Sequence, residues 1–165
     1  MDFEEYVAAR GRALERYAFV LTGDAQRSQD LVQTALIKAY RRWRHVTRAG
    51  HPDAYVRRIV TTSYLDWHRR RANQEQPLAE VPEPQTSVAD PADQVAQRDE
   101  LERALATLTP QQRAVLVLRH YAGYDDAAIA AVLGCSEGTV RTHASRGGQR
   151  LRAALHPTRL PEGPR

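Results

Sequence analysis

Apolar residues recur with the period of an α-helix in three stretches of the first 73 positions. Phe3, Val7, Leu14, Ala18 and Leu21 mark the first stretch, and Thr22-Gly23-Asp24 then supplies a C-terminal glycine and a fresh N-cap. In the second, Leu31, Val32, Ala35, Leu36, Ala39, Tyr40 and Trp43 form a wide stripe that predicts one buried helical face. Asp30, Gln33, Thr34, Ile37 and Arg41 point the other way. Ile37 interrupts an otherwise polar surface, either as a single exposed apolar residue or as part of a partner-binding face. A loop over 48–53 follows. Pro52 then suits a first helical turn, and Val56, Ile59, Val60, Ser63 and Trp67 carry a third helix.

The second half repeats the helical pattern. A helix near 96–107 precedes Thr109-Pro110-Gln111-Gln112, which reads as a capping box with proline at the first helical position and predicts a helix through about Tyr121. In DDAAIAAVLGCSEGTVRTHASRGGQRL, the spacing of Ala130, Gly134 and Val140 is that of a helix-turn-helix. The small Ala allows close approach, the Gly turns the chain, and the Val fills the space between the helices. Ser136 can cap the second helix. Counting 100° per residue from Val140 puts Ala144, Gly147 and Leu151 inward, with Arg141, Thr142, Ser145, Arg146 and Gln149 outward. Arg can take guanine acceptors in a bidentate pair, Gln can pair with adenine, and the Thr methyl can meet a thymine methyl.

Composition divides the 165 residues. Positions 74–95 hold Pro77, Pro82, Pro84 and Pro91 with five acidic residues and no Lys or Arg, the make-up of a flexible linker. About 20 residues of coil span roughly 25 Å on average. The fold class expected is therefore all-α: two small helical domains, at 1–73 and 96–156, joined by an acidic, proline-rich linker, with a short tail at 157–165. Net charge follows the same division, at +6, −5 and +3 for 1–73, 74–95 and 96–165. Two basic lobes around an acidic connector suit a polyanion touched twice, although basic faces are also commonly just solvated. Lys38 is the one lysine among 24 cationic residues. Arginine's planar fork matches phosphates and guanine edges, and a genome rich in G and C gives the same bias.

The third helix carries Arg57, Arg58, Arg69, Arg70 and Arg71 beside Tyr55, Tyr64 and Trp67. Single-stranded nucleic acid needs this mixture, with charge along the backbone and ring faces for unstacked bases. The alternative is that Tyr64 and Trp67 are core residues and the arginines solvate. No apolar run approaches the roughly 18 residues that cross a bilayer, and MDFEEY lacks a basic start before an apolar core, so the expected location is cytoplasmic with no membrane insertion. Cys135 has no partner for a disulfide, and the six histidines show no metal-ligand spacing. No Ser/His/Asp order or glycine-rich phosphate loop appears, so neither an enzyme nor a cofactor is expected.

DLVQTALIKAYRRW and HPDAYVRRIVTTSYLDWHRRR in the first lobe, and LTPQQRAVLVLRHYAGYDDAAIAAVLGCSEGTVRTHASR in the second, resemble extracytoplasmic-function (ECF) sigma factors of the sigma-70 family, in the SigE-like group of actinobacteria. The resemblance implies a non-enzymatic subunit that directs core RNA polymerase to promoter DNA and assists melting. It implies that Asp30, Gln33, Thr34 and Ile37 dock on the polymerase. Arg57, Arg58, Thr61, Thr62, Tyr64, Trp67, Arg69 and Arg70 would read and melt the minus-ten element, and the loop from Arg48 to Pro52 would border a pocket for a flipped base. Arg141, Thr142, Ser145, Arg146 and Gln149 would read the minus-thirty-five element. An anti-sigma protein covering these faces is implied by the same resemblance. Thr61-Thr62 and Arg146-Gly147-Gly148 depart from the patterns common in relatives, so no promoter sequence transfers. Thr34 likewise stands where an acidic residue is usual. A stand-alone helix-turn-helix regulator is the second reading, since the second lobe alone also resembles response-regulator output domains.

Overall fold

The computed structural model describes residues 1–74 and 92–157, and the described residues are helical with no strand. Most of the expected linker, 75–91, and the end of the tail lie outside them. Helix α1 (Phe3–Thr22) opens with a capping box: the Glu5 amide donates to Asp2 Oδ1 at 2.8 Å and the Asp2 amide donates to Glu5 Oε2 at 3.0 Å. It stops at Gly23, whose φ of 66° is the left-handed conformation that favours glycine, with its amide on the Phe19 carbonyl. Asp24 then caps α2 (Ala25–Arg41) through the Arg27 amide. The Thr22-Gly23-Asp24 signal thus marks a real corner.

The stripe of α2 is buried at Leu31, Val32, Ala35 and Ala39, but Tyr40 is 65% exposed, contrary to the expectation for that position. A break follows at Arg42, where φ of −122° ends α2 and starts the short α3 (Trp43–Arg48). Tyr40 is left on the outside with its ring edge-to-face on Phe3, while Trp43 packs on Phe3 and Tyr6. Helix α4 (Pro52–Asn73), with proline at its start as expected, lies across α1 and α2 and buries Val56, Val60, Thr61 and Tyr64.

Helix α5 (Ala92–Ala106) begins four residues before the expected start near 96. Helix α6 (Pro110–Leu116) carries the expected capping box between Thr109 and Gln112, both bonds at 3.2 Å. The helix continues to Tyr121 as expected, but its last turn, Val117–Tyr121, is π-helical, closed by the Ala122 amide on the Val117 carbonyl. Helix α7 (Asp126–Leu133), the Gly134 turn (φ 66°) and α8 (Glu137–Leu155) make the helix-turn-helix, with Asp125 and Ser136 as N-caps. Gly147 permits the approach of α8 to α6, since a Cβ there would lie 3.1 Å from Gln112 Cβ and 3.2 Å from Leu116 Cδ1. One hydrophobic core runs through both halves, and α4 packs on α6 and α7 as well as on α1 and α2.

Candidate nucleic-acid interface

Helix α8 sorts its residues as the helical count from Val140 requires. Val140, Ala144 and Gly147 are buried and Leu151 is half-buried, whereas Arg141, Thr142, Ser145, Arg146 and Gln149 are all exposed, with Arg150 beside them. Arg141 has a loose ion pair with Glu137 at 3.7 Å, and Thr142 returns its hydroxyl to the Gly138 carbonyl, so both belong to the first turns of the helix that faces outward. This edge can donate from guanidinium and amide groups and offer a methyl in one continuous strip, which is what a major groove accepts.

The α4 residues divide. Arg58, Arg69 and Arg70 are exposed and Thr62 is half-buried, so an outward strip of charge and hydroxyl remains. Arg69 is paired with Asp66. Two of the expected DNA contacts, Thr61 and Tyr64, are buried. Thr61 is 0% exposed and shares a 2.7 Å hydrogen bond with the Tyr17 hydroxyl, while its own hydroxyl also reaches the Arg57 carbonyl. Tyr64 is 3% exposed, and burial pushes its phenol up to about 12. Both lie on the flank of α4 that turns toward α1 and the second half, where no base can reach them in this arrangement. Arg57 is half-buried with its guanidinium 5.7 Å from the Tyr17 ring. Trp67 is half-buried too, and its ring meets two cations, Arg27 at 3.6 Å and Arg71 at 4.7 Å.

Around the start of α4, Asp53 accepts from the Tyr6 hydroxyl at 2.8 Å and pairs with Arg10. Burial works against the Asp53 carboxylate, but the bonds from Arg10 and Tyr6 prevail and hold it below its usual range. His68 is pushed down to about 4, first by burial and then by Arg27, Arg113 and Arg71. On α2, Asp30, Gln33, Thr34 and Ile37 are exposed together, Ile37 at 57%.

Two residues that the sequence pattern did not single out shape this surface. Arg27 covers Trp67, and Arg113 is 6% exposed between α6 and the end of α1. Arg113 carries one signal in retrospect, a lone cation inside the run from Gln112 to Leu118, all of it buried. Among the described residues no helix is long and apolar enough to cross a membrane and no group of His, Cys, Asp and Glu could hold a metal; Cys135 is a free, half-buried thiol.

Residues 6–74 match the family model described as Sigma-70 region 2, and residues 98–151 match Sigma-70, region 4. The RNA polymerase sigma-E factor of Streptomyces avermitilis is 41% identical over 155 residues, covering 94% of this chain and 86% of that protein. The ECF RNA polymerase sigma factor SigM of Mycobacterium tuberculosis is 31% identical over 154 residues, covering 93% and 76%. In fold, the chain resembles the sigma factor RpoE solved with the anti-sigma factor NepR from Bartonella quintana, with a TM-score of 0.74, 23% identity, and coverage of 96% of this chain and 99% of that one. A region 2 match across the first half removes the stand-alone regulator, which has no use for such a domain. The chain belongs to the sigma-70 family and, within it, to the SigE-like ECF sigma factors. Its function is that of the family: an RNA polymerase sigma factor acting in transcription initiation.

Proposed function

We propose that this sigma factor divides its work among three faces, each on its own helix. The outward strip of α8, Arg141, Thr142, Ser145, Arg146 and Gln149, reads the upstream promoter element. The strip of α4, led by Arg58, Thr62, Arg69 and Arg70, engages the downstream element, and the exposed face of α2, Asp30, Gln33, Thr34 and Ile37, docks on core polymerase. The observation that carries this reading is the clean separation on α8 of buried Val140, Ala144 and Gly147 from five exposed side chains able to contact bases or phosphates. A domain of residues 1–73 holds the second and third faces, 96–156 the first, and 74–95 the connection.

The protein acts by binding rather than by catalysis and works in the cytoplasm, where polymerase and promoter are. An anti-sigma protein is a third partner, since the RpoE of similar fold was solved with NepR. Transcription from a matched promoter by purified core polymerase, with and without this chain, tests the reading. Promoter-specific transcripts only when the chain is added are expected, and identical transcripts without it would overturn the proposal.

A further inference from the structure

Where α2 and α4 pack together, a socket of about 410 Å³ opens to the surface, lined by Gln26, Arg27, Asp30, Leu31 and Thr34 of α2 and by Trp67 of α4. Its mouth is polar and its interior is not: Gln26, Asp30 and Thr34 are exposed, whereas Leu31 is buried and Trp67 half-buried. At the rim the Gln26 side chain donates to Asp30 Oδ1 at 3.2 Å. Arg27 and Arg71 lie 3.6 and 4.7 Å from the centroid of the Trp67 ring and hold that wall in place.

The directions of the two helix faces decide which surface the socket belongs to. On α2, at 100° per residue, Gln26, Asp30, Gln33 and Thr34 all fall within about 60° of Ile37, and Leu31 comes next at about 120°. The exposed α2 face therefore runs without a break into the socket. On α4, Thr62 and Arg69 fall within about 40° of Arg58, Arg70 at about 120°, and Trp67 at about 180°. Trp67 thus faces away from Arg58, Thr62 and Arg69, and a strand lying along those three does not reach the ring. The Asp30 carboxylate at the mouth also repels a phosphate backbone. An apolar recess at the end of a polar face is where an interface seats a buried anchor. We propose that core polymerase places an apolar side chain in this socket, against Leu31 and Trp67, and that Trp67 is a polymerase contact rather than a DNA contact. Ile37 and the socket, about 10 Å apart along α2, then form two apolar anchors in one polar face. This inference rests on the assignment of the α2 face to polymerase made above.

Trp43 and Trp67 are the two tryptophans of the chain. Replacing both with 7-azatryptophan, which is excited at wavelengths that ordinary tryptophan does not absorb, lets the full chain be followed inside polymerase. The Trp67→Phe chain, which keeps Trp43, is the blank. Saturating core polymerase without DNA is expected to cut acrylamide quenching of the Trp67 emission at least about threefold. Equal quenching with and without polymerase would overturn the proposal. So would protection that appears only when promoter DNA is added to the polymerase-bound chain, which would return the ring to DNA. Ile37→Glu separates the socket from the docking face. If that variant fails to bind while bound wild type leaves Trp67 open to quenching, the docking face stands and the socket falls. If it binds as wild type does and Trp67 is still protected, the socket stands and docking through Ile37 falls.

Discussion

The guanidinium of Arg27 stands 3.6 Å from the centroid of the Trp67 ring, and this pairing joins the first turn of α2 to the last third of α4. An aromatic ring stacked by a cation is a structural joint before it is a platform for bases. Burial lowers the pKa of Arg27, yet the side chain remains charged at any physiological pH. Trp67→Ala is expected to destabilise the first half by about 2 to 4 kcal/mol, from lost apolar burial and the lost cation–π contact. Urea unfolding followed by circular dichroism measures this. Unchanged stability together with impaired open-complex formation would instead return the ring to a base-stacking role.

Docking should depend on Ile37, the apolar residue at the centre of an exposed polar face. Ile37→Glu leaves the core untouched, so helical content stays, while affinity for core polymerase falls by about 30-fold, the effect of losing about 2 kcal/mol at an interface centre. Co-purification with core polymerase reads the outcome, and equal recovery of variant and wild type would show that α2 docks through another face.

On α8 the reading of bases and the anchoring of phosphates can be told apart. Arg146→Ala should cost about 1 to 3 kcal/mol on the correct upstream element and flatten preference at one base pair. Arg150→Ala should weaken all sequences alike and reduce the salt slope by about one unit. Titrations of the full chain with core polymerase on single-base promoter variants, at two salt concentrations, distinguish them. Uniform weakening by Arg146→Ala would make it an anchor.

Adjacent glycines on α8 should respond with opposite signs. A Cβ at Gly148 meets only the flexible Arg152 guanidinium, at 3.4 Å, so Gly148→Ala should stabilise by about 0.5 to 1 kcal/mol through helix propensity. Gly147→Ala gains the same propensity but drives a methyl against Gln112 Cβ and Leu116, and overpacking of about 1 to 3 kcal/mol should outweigh it. Thermal unfolding of the pair decides; two changes of the same sign would mean that α8 moves freely on α6.

His68 makes stability depend on pH. Its folded-state pKa of about 4 lies below the ordinary 6.5, so between those values the unfolded chain binds a proton that the folded chain refuses. Stability is thus highest above pH 6.5 and declines as pH falls toward 4. The melting temperature of wild type should drop between pH 7 and 5, and His68→Gln should flatten that slope. An equally steep decline in the variant would assign it to other groups.

Local signals in the sequence located the corners of the fold because each is a hydrogen bond over three or four residues. Asp24, Thr109 and Ser136 cap helices where their side chains and neighbours foretell it, and the inward and outward faces of α8 follow from Val140 alone. Features set by distant partners were not legible. The break at Arg42 carries no Gly or Pro, so the helical count ran through it from Tyr40 to Trp43. Thr61 has a helical position compatible with solvent, and its burial against Tyr17, 44 residues before it, could not be read; Tyr64 repeats the four-residue spacing of Val56 and Val60, and its burial is the core alternative to base contact. Arg113 is a surface residue by composition and a core residue by virtue of Val20 and Glu102.

The arginine-rich composition leaves an unused chemical handle. Lys38 is the sole lysine, and it sits exposed on α2 immediately after Ile37. A lysine-specific protease therefore has a single site in this chain, inside a helix whose backbone must locally unfold to be cut. Cleavage kinetics at that one bond would report the opening of α2 in the free protein and its protection when polymerase is bound, with no label and no mutation.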